Sequence, residues 1–376
     1  MSRDALTQRR RGVESGGTMW AQLGDVCEIV YGERIRKIDS TATTYPVYGG
    51  GGETFRWATF NRENACVVSR FAMSKECVRF VKGRFFLNDS GLTVTSNNET
   101  LSQDFLDWFL RGSQTRIYAC GQGVAQRNLE IKRFRNLRLP LPPLAEQRRI
   151  TAKLDRICDI VVKRKQQLVQ LQQLVKSQFV EMFGEVKYPE RELITVTSFI
   201  DYRGKTPTKS DSGIPLITAK NVRANGFSVE PREYMPEELF AKWMTRGFPR
   251  VGDVLFTTEA PLGNVCRIPN LYERFAVGQR IVTMQVMQDI LDSSYLEHAL
   301  KSDTFQRKIK QNSSGSTVTG IRSKLLEKLT VPIPPFALQR EFAAFVEKVD
   351  KLAFAIRKSL ESAEKLYRQQ LSEAFA

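Results

Sequence analysis

Two stretches of this chain match each other, and this internal repeat limits the possible folds more than any other feature. Residues 137–184 and residues 329–376 align without a gap at an offset of 192 residues, with 13 identities in 48 positions. Self-similarity over that length indicates duplication. The same offset pairs Gly123 with Gly315 upstream of the repeat. The chain is therefore expected to contain two equivalent halves.

Each copy of the repeat begins with a proline-rich segment, Leu139 to Pro143 in the first and Val331 to Pro335 in the second. Proline has no backbone N–H, and residues before proline avoid the helical region. We therefore expect each segment to be an extended connector that ends a domain.

Each connector is followed by a long stretch without glycine or proline, in which apolar residues recur at heptad spacing. The pattern runs from Ile150 to Met182 in the first copy and from Phe342 to Ala374 in the second. Such a repeat predicts two long coiled-coil helices, and their equivalence favours antiparallel pairing. The alternative is two amphipathic helices packed inside ordinary domains.

The regions before the long stretches contain strand-length apolar runs, such as Tyr45 to Tyr48 and Ile281 to Val286, with helix-like patches at Gln103 to Arg111 and Ser294 to Ile309. The sequence thus predicts an α+β protein, pseudo-twofold duplicated, with two globular domains joined by two long antiparallel coiled-coil helices. The expected boundaries are a disordered basic tail over 1–18, a first globular domain over 19–143, a central helix over 144–184, a second globular domain over 185–335 and a C-terminal helix over 336–376.

The charge of the chain indicates a partner. Lysine and arginine number 57 against 41 aspartates and glutamates, a net charge of +16. A strongly basic protein usually binds a polyanion, most often nucleic acid, although a mildly basic solvated surface is the plainer alternative. No apolar run approaches the ~18 residues of a membrane span, and no signal peptide is recognisable, so we expect a cytoplasmic protein.

Few enzyme chemistries fit the composition. His298 is the only histidine, and the six cysteines show no Cys-x-x-Cys spacing, so we expect no multi-histidine metal site and reduced cysteines. No phosphate-binding loop is present, and Gly49 to Gly52 is followed by Glu53, which favours a strand connection. Composition leaves a carboxylate metal nuclease open. We expect a chain without catalysis, metal or cofactor of its own.

Short motifs along nearly the whole chain, from residue 19 onward, resemble the specificity subunit of type I restriction-modification systems. The matching segments are Leu23 to Val26, Tyr45 to Gly50, Pro140 to Gln147, Gly204 to Pro207, Gly213 to Ile217, Gly252 to Leu255, Gly278 to Arg280, Gly315 to Thr317 and Pro332 to Gln339. Leu338 replaces the usual glutamate of the connector. The first domain also departs at Gly123 to Gln126, where the second has Gly315-Ser316-Thr317.

The resemblance implies a DNA-specificity subunit with two target-recognition domains, each reading one half of a split double-stranded DNA target. It implies two adenine methyltransferase (modification) subunits and further restriction subunits as partners. S-adenosylmethionine, ATP and magnesium are then expected on those partners. Two alternatives stay open: a coiled-coil adaptor that binds proteins without DNA specificity, and the recognition part of a fused restriction or methylation enzyme.

Loop residues whose side chains suit phosphates and base edges are the candidate DNA contacts. They are Arg56, Trp57, Arg70, Lys75, Arg127, Lys205, Thr206, Lys209, Lys220, Asn221, Arg280, Ser316 and Thr317. The repeated residues off the heptad seam are the candidate contacts for the two modification subunits: Pro142, Pro143, Gln147, Arg148, Pro334, Pro335, Gln339 and Arg340. The alternative for this second set is structural, with prolines that end a domain and a Gln-Arg pair that caps a helix.

Overall fold

The computed structural model describes residues 19–36, 44–315 and 319–375, and the backbone of residues 12–13. Contacts divide it into two compact units, Met1–Arg164 with Lys358–Ala376 and Lys165–Arg357. Each long helix begins in one unit and ends in the other. The predicted tail lies outside the described residues, except that Gly12 and Val13 form a short strand that pairs with Trp20 and Met19.

The first unit alternates short strands and helices before its long helix. Its strands are β1 (Gly12–Val13), β2 (Met19–Gln22), β3 (Cys27–Tyr31), β4 (Tyr45–Gly49), β5 (Gly52–Trp57), β6 (Arg62–Ser69), β7 (Val78–Leu87), β8 (Gly91–Ser96), β9 (Gly121–Gln122), β10 (Asn128–Leu129) and β11 (Arg138–Leu141). Its helices are α1 (Leu23–Val26), α2 (Gln103–Gly112), α3 (Gln114–Ala119), α4 (Ile131–Arg135) and the start of α5 (Leu144–Phe183).

A six-stranded sheet in the order β3-β8-β6-β7-β4-β5 forms the body of this unit. Most neighbours are antiparallel, but β4 runs parallel to β7, with Val47 opposite Phe86. The apolar face of α2 supplies Phe105, Leu106 and Phe109 to the core that the sheet covers. Ser102 begins α2, because its hydroxyl accepts the N–H of Phe105 at 3.3 Å.

The second unit has equivalents of the main strands and helices of the first, together with short strands and a helix of its own. Its strands are β12 (Glu190–Glu192), β13 (Thr197–Asp201), β14 (Ile214–Ile217), β15 (Val222–Arg223), β16 (Gly226–Phe227), β17 (Tyr234–Met235), β18 (Val254–Thr257), β19 (Val265–Arg267), β20 (Ala276–Val277), β21 (Ile281–Val286) and β22 (Thr330–Pro332). Its helices are α6 (Glu237–Trp243), α7 (Ser293–Lys301), α8 (Asp303–Gln311), α9 (Ser323–Lys328) and the start of α10 (Phe336–Phe375), with a 3-10 turn at Leu193–Thr195.

The pairings of the second unit repeat those of the first. A sheet in the order β13-β21-β18-β19 corresponds to β3-β8-β6-β7, and β14 runs parallel to β20 as β4 does to β7. Asp292 begins α7 by accepting the N–H groups of Ser294 and Tyr295. Equivalent strands, caps and helices confirm the duplication, although the offset rises from 169 residues between Tyr45 and Ile214 to 192 between Arg138 and Thr330 because the second unit contains an insertion.

The heptad pattern predicted the two long helices correctly. Each is 40 residues long. All ten seam positions of α5, from Ile150 to Met182, are buried or half-buried, and so are all ten of α10, from Phe342 to Ala374. The off-seam residues Leu174 and Leu366 are exposed, although they are identical in the two copies. The seam, and not mere apolar content, therefore decides which face is covered.

Each unit contains the start of one long helix packed beside the end of the other. In the first unit, Ile150 and Leu154 of α5 share a core with Leu371 and Phe375 of α10. In the second, Leu171, Val175 and Phe183 of α5 share a core with Phe342 and Val346 of α10. This is the antiparallel arrangement expected from the repeat, and the α+β fold class is confirmed.

Candidate nucleic-acid interface

An equivalent antiparallel hairpin is present in both units, where one short helix separates it from the connector. In the first unit it joins β9 to β10 with Gln122 opposite Asn128, and in the second Ser314 is opposite Gly320, at an offset of 192 residues. Gly123 and Gly315 turn the chain with φ of +112° and +119°. A Cβ on Gly123 would lie 2.1 Å from the carbonyl oxygen of Gln126, so only glycine fits there.

Three predicted DNA-contact residues of the first unit lie on or beside this hairpin. The N–H of Leu129 donates to the carbonyl of Arg70 at 2.8 Å, and the N–H of Met73 donates to the carbonyl of Arg127 at 2.8 Å. The loop that carries Arg70 and the exposed Lys75 is thus fastened to the hairpin strand that carries Arg127. The structure brings these three cations to one edge of the unit.

Aromatic rings orient the two arginines of this edge. The guanidinium of Arg70 lies 4.4 Å from the ring centre of Tyr31 and 4.8 Å from that of Phe71. The guanidinium of Arg127 lies 4.8 Å from the ring of Tyr118. Such stacking holds a guanidinium in place while its edge remains able to donate to an anion.

Two exposed apolar side chains, which the sequence analysis did not single out, lie at and beside the hairpin of the first unit. Val124 is fully exposed directly after Gly123, and Phe71 is exposed beside Arg70. Apolar side chains presented among cations are suited to the methyl group of thymine in the major groove. The signal in the sequence was the position of Val124 after the turn glycine, not its residue type.

Arg56 and Trp57 lie on a different element from the hairpin. They end β5, the edge strand of the six-stranded sheet. Arg56 donates to the carbonyl of Thr44 at 3.0 Å and lies 3.7 Å from Glu53. Trp57 packs against Phe55 and Phe86. Their role in DNA contact stays a prediction.

In the second unit the hairpin borders an open cleft of about 430 Å³, whose walls include Arg203, Glu259, Gln279, Arg280 and Arg322. Arg280 is exposed and forms an ion pair with Glu259, Nε to Oε1 at 3.0 Å. Thr206, next to the exposed Lys205, donates its hydroxyl to Oε1 of Gln279 at 3.1 Å. Ser316 and Thr317, predicted to act here, lie outside the described residues.

Lys209 and Lys220 are exposed but partly neutralised. Their ammonium groups lie 2.9 and 3.0 Å from the same carboxylate oxygen of Glu233. Burial raises the pKa of Glu233, but the two lysines outweigh that effect and lower it. The two lysines and Glu233 together carry a net charge of +1. Such a site is better suited to contact a phosphate than to read a base.

The prediction that Asn221 contacts DNA is wrong. Asn221 is buried, and its Oδ1 accepts the N–H of Thr218 at 2.9 Å. Its Nδ2 donates to the carbonyls of Ser228 and Pro231, each at 3.0 Å. The side chain closes the turn after β14, so its hydrogen-bonding groups are used inside the unit.

The prediction that Gln147 and Gln339 contact a partner is also wrong, because both side chains are fully buried. Oε1 of Gln147 accepts the N–H of Ser102 at 2.9 Å, and its Nε2 donates to the carbonyls of Thr100 and Pro142. Gln339 makes the same three bonds, to Asp292, Ile290 and Pro334. We call each set the glutamine clamp, since it joins the connector, the long helix and the cap of the preceding helix.

The other repeated residues of the connector divide by exposure. Pro143, Arg148, Pro335 and Arg340 are exposed, Pro142 is half-buried, and Pro334 is buried and therefore unavailable to a partner. The structural alternative thus explains the glutamines and Pro334. The exposed residues remain candidates for docking.

The histidine and the cysteines are buried or half-buried. His298 lies among Phe179 and Phe342, and burial lowers the pKa of its imidazole. All six cysteines are free, and burial raises the pKa of Cys27 and Cys266 to about 12. Within the described residues, no three His, Cys, Asp or Glu side chains are grouped to hold a metal ion. No helix of this described part is long and apolar enough to cross a membrane.

Comparison with known proteins assigns this architecture to a family. A family model described as type I restriction modification DNA specificity domain matches residues 18–173 and 203–364, one copy for each half. The chain belongs to that family.

Individual relatives agree with the family assignment. The type I restriction enzyme MjaVIII specificity subunit of Methanocaldococcus jannaschii is 21% identical over 75% of this chain and 73% of its own length. A putative specificity subunit of Haemophilus influenzae is 20% identical over 93% and 91%. The crystal structure of a type I restriction-modification S subunit from M. genitalium has the same fold, with a TM-score of 0.66, 19% identity, and coverage of 97% of this chain and 98% of that one.

Proposed function

We propose that this chain is the DNA-recognition subunit of a type I restriction-modification complex, and that each unit reads one half of a split double-stranded target. The observation that carries this proposal is the repeated hairpin with cationic loops fastened around it. A target-reading protein needs cations for phosphates and donors for base edges on the same rigid frame. The two units supply such a frame twice, with different side chains on each.

The chain has no catalytic part in this proposal. Modification subunits in two copies would bring S-adenosylmethionine and methylate adenine, and restriction subunits would bring ATP and magnesium. A methyltransferase that rotates its base out of the duplex needs a firm grip on the flanking DNA, which a cationic recognition subunit provides.

The turn glycine of the first hairpin gives a sharp test of recognition. Gly123→Ala forces a Cβ against the carbonyl of Gln126 and deforms the hairpin, so the complex should lose selectivity for one half of its target. Gly83→Ala is the matched control, because Gly83 also has positive φ but its Cβ would meet no atom within 4 Å.

Selection from random duplexes, at defined salt, measures both variants against the natural chain. We expect a target of two fixed halves for the natural chain and the Gly83 variant, and a loss of one half for Gly123→Ala. Absence of any sequence preference in the natural complex would contradict the proposal and favour an adaptor that binds proteins only.

We further infer that the modification subunits dock at the exposed connector surface that contains Arg148 in one unit and Arg340 in the other. Two copies of one partner need the same surface twice, which the duplication provides. Arg148→Ala and Arg340→Ala should each reduce the bound modification subunits from two towards one, measured by native mass spectrometry.

Arg149→Ala is the control for docking. Arg149 is exposed and ion-paired with Glu146, but its counterpart in the second copy is Glu341, so it belongs to no repeated surface. Two subunits bound to both Arg148→Ala and Arg340→Ala would show that the partner docks elsewhere.

A further inference from the structure

The cleft of the second unit presents an arginine and a glutamate from two fixed backbone segments. The carbonyl of Arg280 accepts the N–H of Thr258 at 3.1 Å, at the end of the loop that leads into β21. Glu259 follows Thr258 and bridges to Gly320 of the hairpin. Both side chains therefore start from backbone that the sheet and the hairpin hold in place.

The ion pair between these residues has little use for the fold. The side chains of Arg280 and Glu259 are 53% and 42% exposed. Exposed ion pairs contribute little to stability, because water and salt screen them. What the pair does do is restrict the guanidinium to one direction in the cleft.

The ion pair with Glu259 uses only one edge of the Arg280 guanidinium, so another edge can contact a base. The bond to Glu259 is made at Nε. The end-on edge, formed by Nη1 and Nη2, is a separate edge of the same planar group and carries two parallel donors. Two such donors match O6 and N7 of guanine in the major groove, the commonest specific contact between proteins and DNA.

The neighbouring Arg203 has a different role. Its guanidinium bonds to the carboxylate of Asp201, Nη2 to Oδ2 at 2.8 Å, and donates Nη1 to the carbonyl of Ile321 at 3.0 Å. Those bonds fasten the base of the hairpin and build the cleft wall. Arg280 differs because its carboxylate partner is itself a residue of the open cleft.

The first unit has no such pair at the equivalent positions. There the N–H of Arg70 donates to the carbonyl of Ser90 at 2.9 Å, as that of Thr258 donates to Arg280. Serine thus stands where the second unit has Arg280, and Phe71 stands where it has Glu259. The common scaffold does not require the pair, so it is a feature of the second unit's own target.

We propose that Arg280, oriented by Glu259, donates to O6 and N7 of a guanine and thereby fixes one G·C pair in the half-site read by the second unit. This assignment rests on the proposed function and adds the base and the residues that read it. Glu259 acts as a positioning residue and Arg280 as the reader.

The experiment uses the full chain in complex with its modification subunits, and duplexes that carry the target found by selection. Arg280→Ala should lower the preference for one G·C pair of one half-site by roughly tenfold to a hundredfold, with the other half-site unchanged. Glu259→Gln keeps an acceptor for Nε but removes the charge, and should lower the same preference less.

Chemical substitution of the base identifies the contact. Replacing that guanine with 7-deazaguanine removes the N7 acceptor and should weaken binding of the natural complex about tenfold. The same replacement should not weaken the Arg280→Ala complex further, because the partner of N7 is already gone.

Arg274→Ala is the matched control, since Arg274 is an exposed arginine of the same unit that is ion-paired with Glu237 and stacked on Phe240. It should leave the target unchanged. Equal weakening of target and random duplexes by Arg280→Ala would make Arg280 a phosphate contact and overturn the assignment, as would a half-site without the predicted G·C pair. A natural complex with no sequence preference would instead refute the proposed function.

Discussion

The two units have a buried acidic residue at equivalent positions of equivalent helices, but the pKa of this residue is raised in one unit and lowered in the other. Asp107 of α2 and Glu297 of α7 are each 7% exposed, at an offset of 190 residues. Burial raises the pKa of Asp107 to about 6, and its nearest hydrogen-bond donor is the neutral Gln103. Burial also acts on Glu297, but Lys301, His298 and Arg267 outweigh it and lower the pKa to about 2.

The difference comes from the neighbours that each unit supplies. Arg267 donates to Glu297 at 2.7 Å and also reaches Asp350 of α10 at 3.0 Å, so the acid of the second unit belongs to an ionic network with the long helix. In the first unit Arg111, at the position equivalent to Lys301, stacks on Trp108 at 3.7 Å. Duplication preserved the position of the acid, while the electrostatics around it changed separately in each half.

The largest expected effect concerns an anchor that the halves share. Phe183 and Phe375 end the two long helices at equivalent positions, and both are buried against other aromatic rings. Phe183→Ala and Phe375→Ala should each lower the free energy of unfolding by about 3–5 kcal/mol, since each leaves a cavity in a packed core. Urea unfolding measures this loss. If only one of the two substitutions lowered the free energy of unfolding strongly, the two phenylalanines would not be equivalent anchors.

Substitution of the buried acidic residues should lower the free energy of unfolding by different amounts in the two units. Glu297→Gln leaves Arg267 and Lys301 without their carboxylate, and we expect a loss of about 2–3 kcal/mol at neutral pH. Asp107→Asn keeps an acceptor for Gln103 and should cost less than about 1 kcal/mol. Urea unfolding of both variants at one ionic strength tests this ranking. The reverse ranking would show that the ionic network of the second unit contributes little.

The glutamine clamps should behave alike. Gln147→Ala and Gln339→Ala each leave one N–H and two carbonyls of the interior without partners, so each should lower the free energy of unfolding by about 2 kcal/mol. Hydrogen exchange should locate the loss at the start of α2 in the first case and of α7 in the second. An unchanged stability in either variant would mean that water replaces the clamp there. Gln172→Ala, on an exposed face of α5, serves as the control.

The smallest effect is the pH dependence that Asp107 adds to the stability of the first unit. The folded-state pKa of Asp107 lies above its value in the unfolded chain, so stability should fall as pH rises from about 4 to about 6, by about 1–2 kcal/mol. Glu297, with its pKa lowered to about 2, loses its contribution only as pH falls below about 4.5. Burial also lowers the pKa of His298 and raises that of Asp253, so both residues add to the pH dependence. The loss of stability between pH 4.5 and pH 7.5 should therefore be larger for the natural chain than for Asp107→Asn, because the contributions of the other groups cancel in this comparison. The exposed Asp104, changed to Asn, should retain the dependence.

Sequence patterns predicted the frame of this protein because the frame is periodic and duplicated. The ends of α5 and α10, the antiparallel pairing, and the strands around Tyr45 and Ile281 follow from heptads, proline and turn signals. The turn at Gly123 and Gly315 could be found as well, because a positive φ is a local requirement that a single residue type satisfies.

Side-chain roles were harder to predict because they depend on three-dimensional neighbours. Identity between the repeats suggested a shared surface for Gln147 and Gln339, yet a buried hydrogen-bonding requirement repeats just as faithfully as a surface. Asn221 has the residue type of a base reader, but a turn uses both its acceptor and its donor. Glu259 carries the wrong charge for a search based on cations, and only its contact with Arg280 reveals it.

The place of Phe375 has a consequence for the order in which the chain acquires its structure during synthesis. The first unit is completed by Lys358–Ala376, and Arg116 donates to the carbonyl of Phe375 across 259 residues of sequence. The second unit, Lys165–Arg357, is continuous. A ribosome that builds from the N-terminus thus makes most of the first unit early but supplies its closing aromatic ring only after the second unit. The first unit is therefore begun first but completed second. Until Phe375 has been synthesised, the core of this unit around Phe105 and Phe109 lacks that ring.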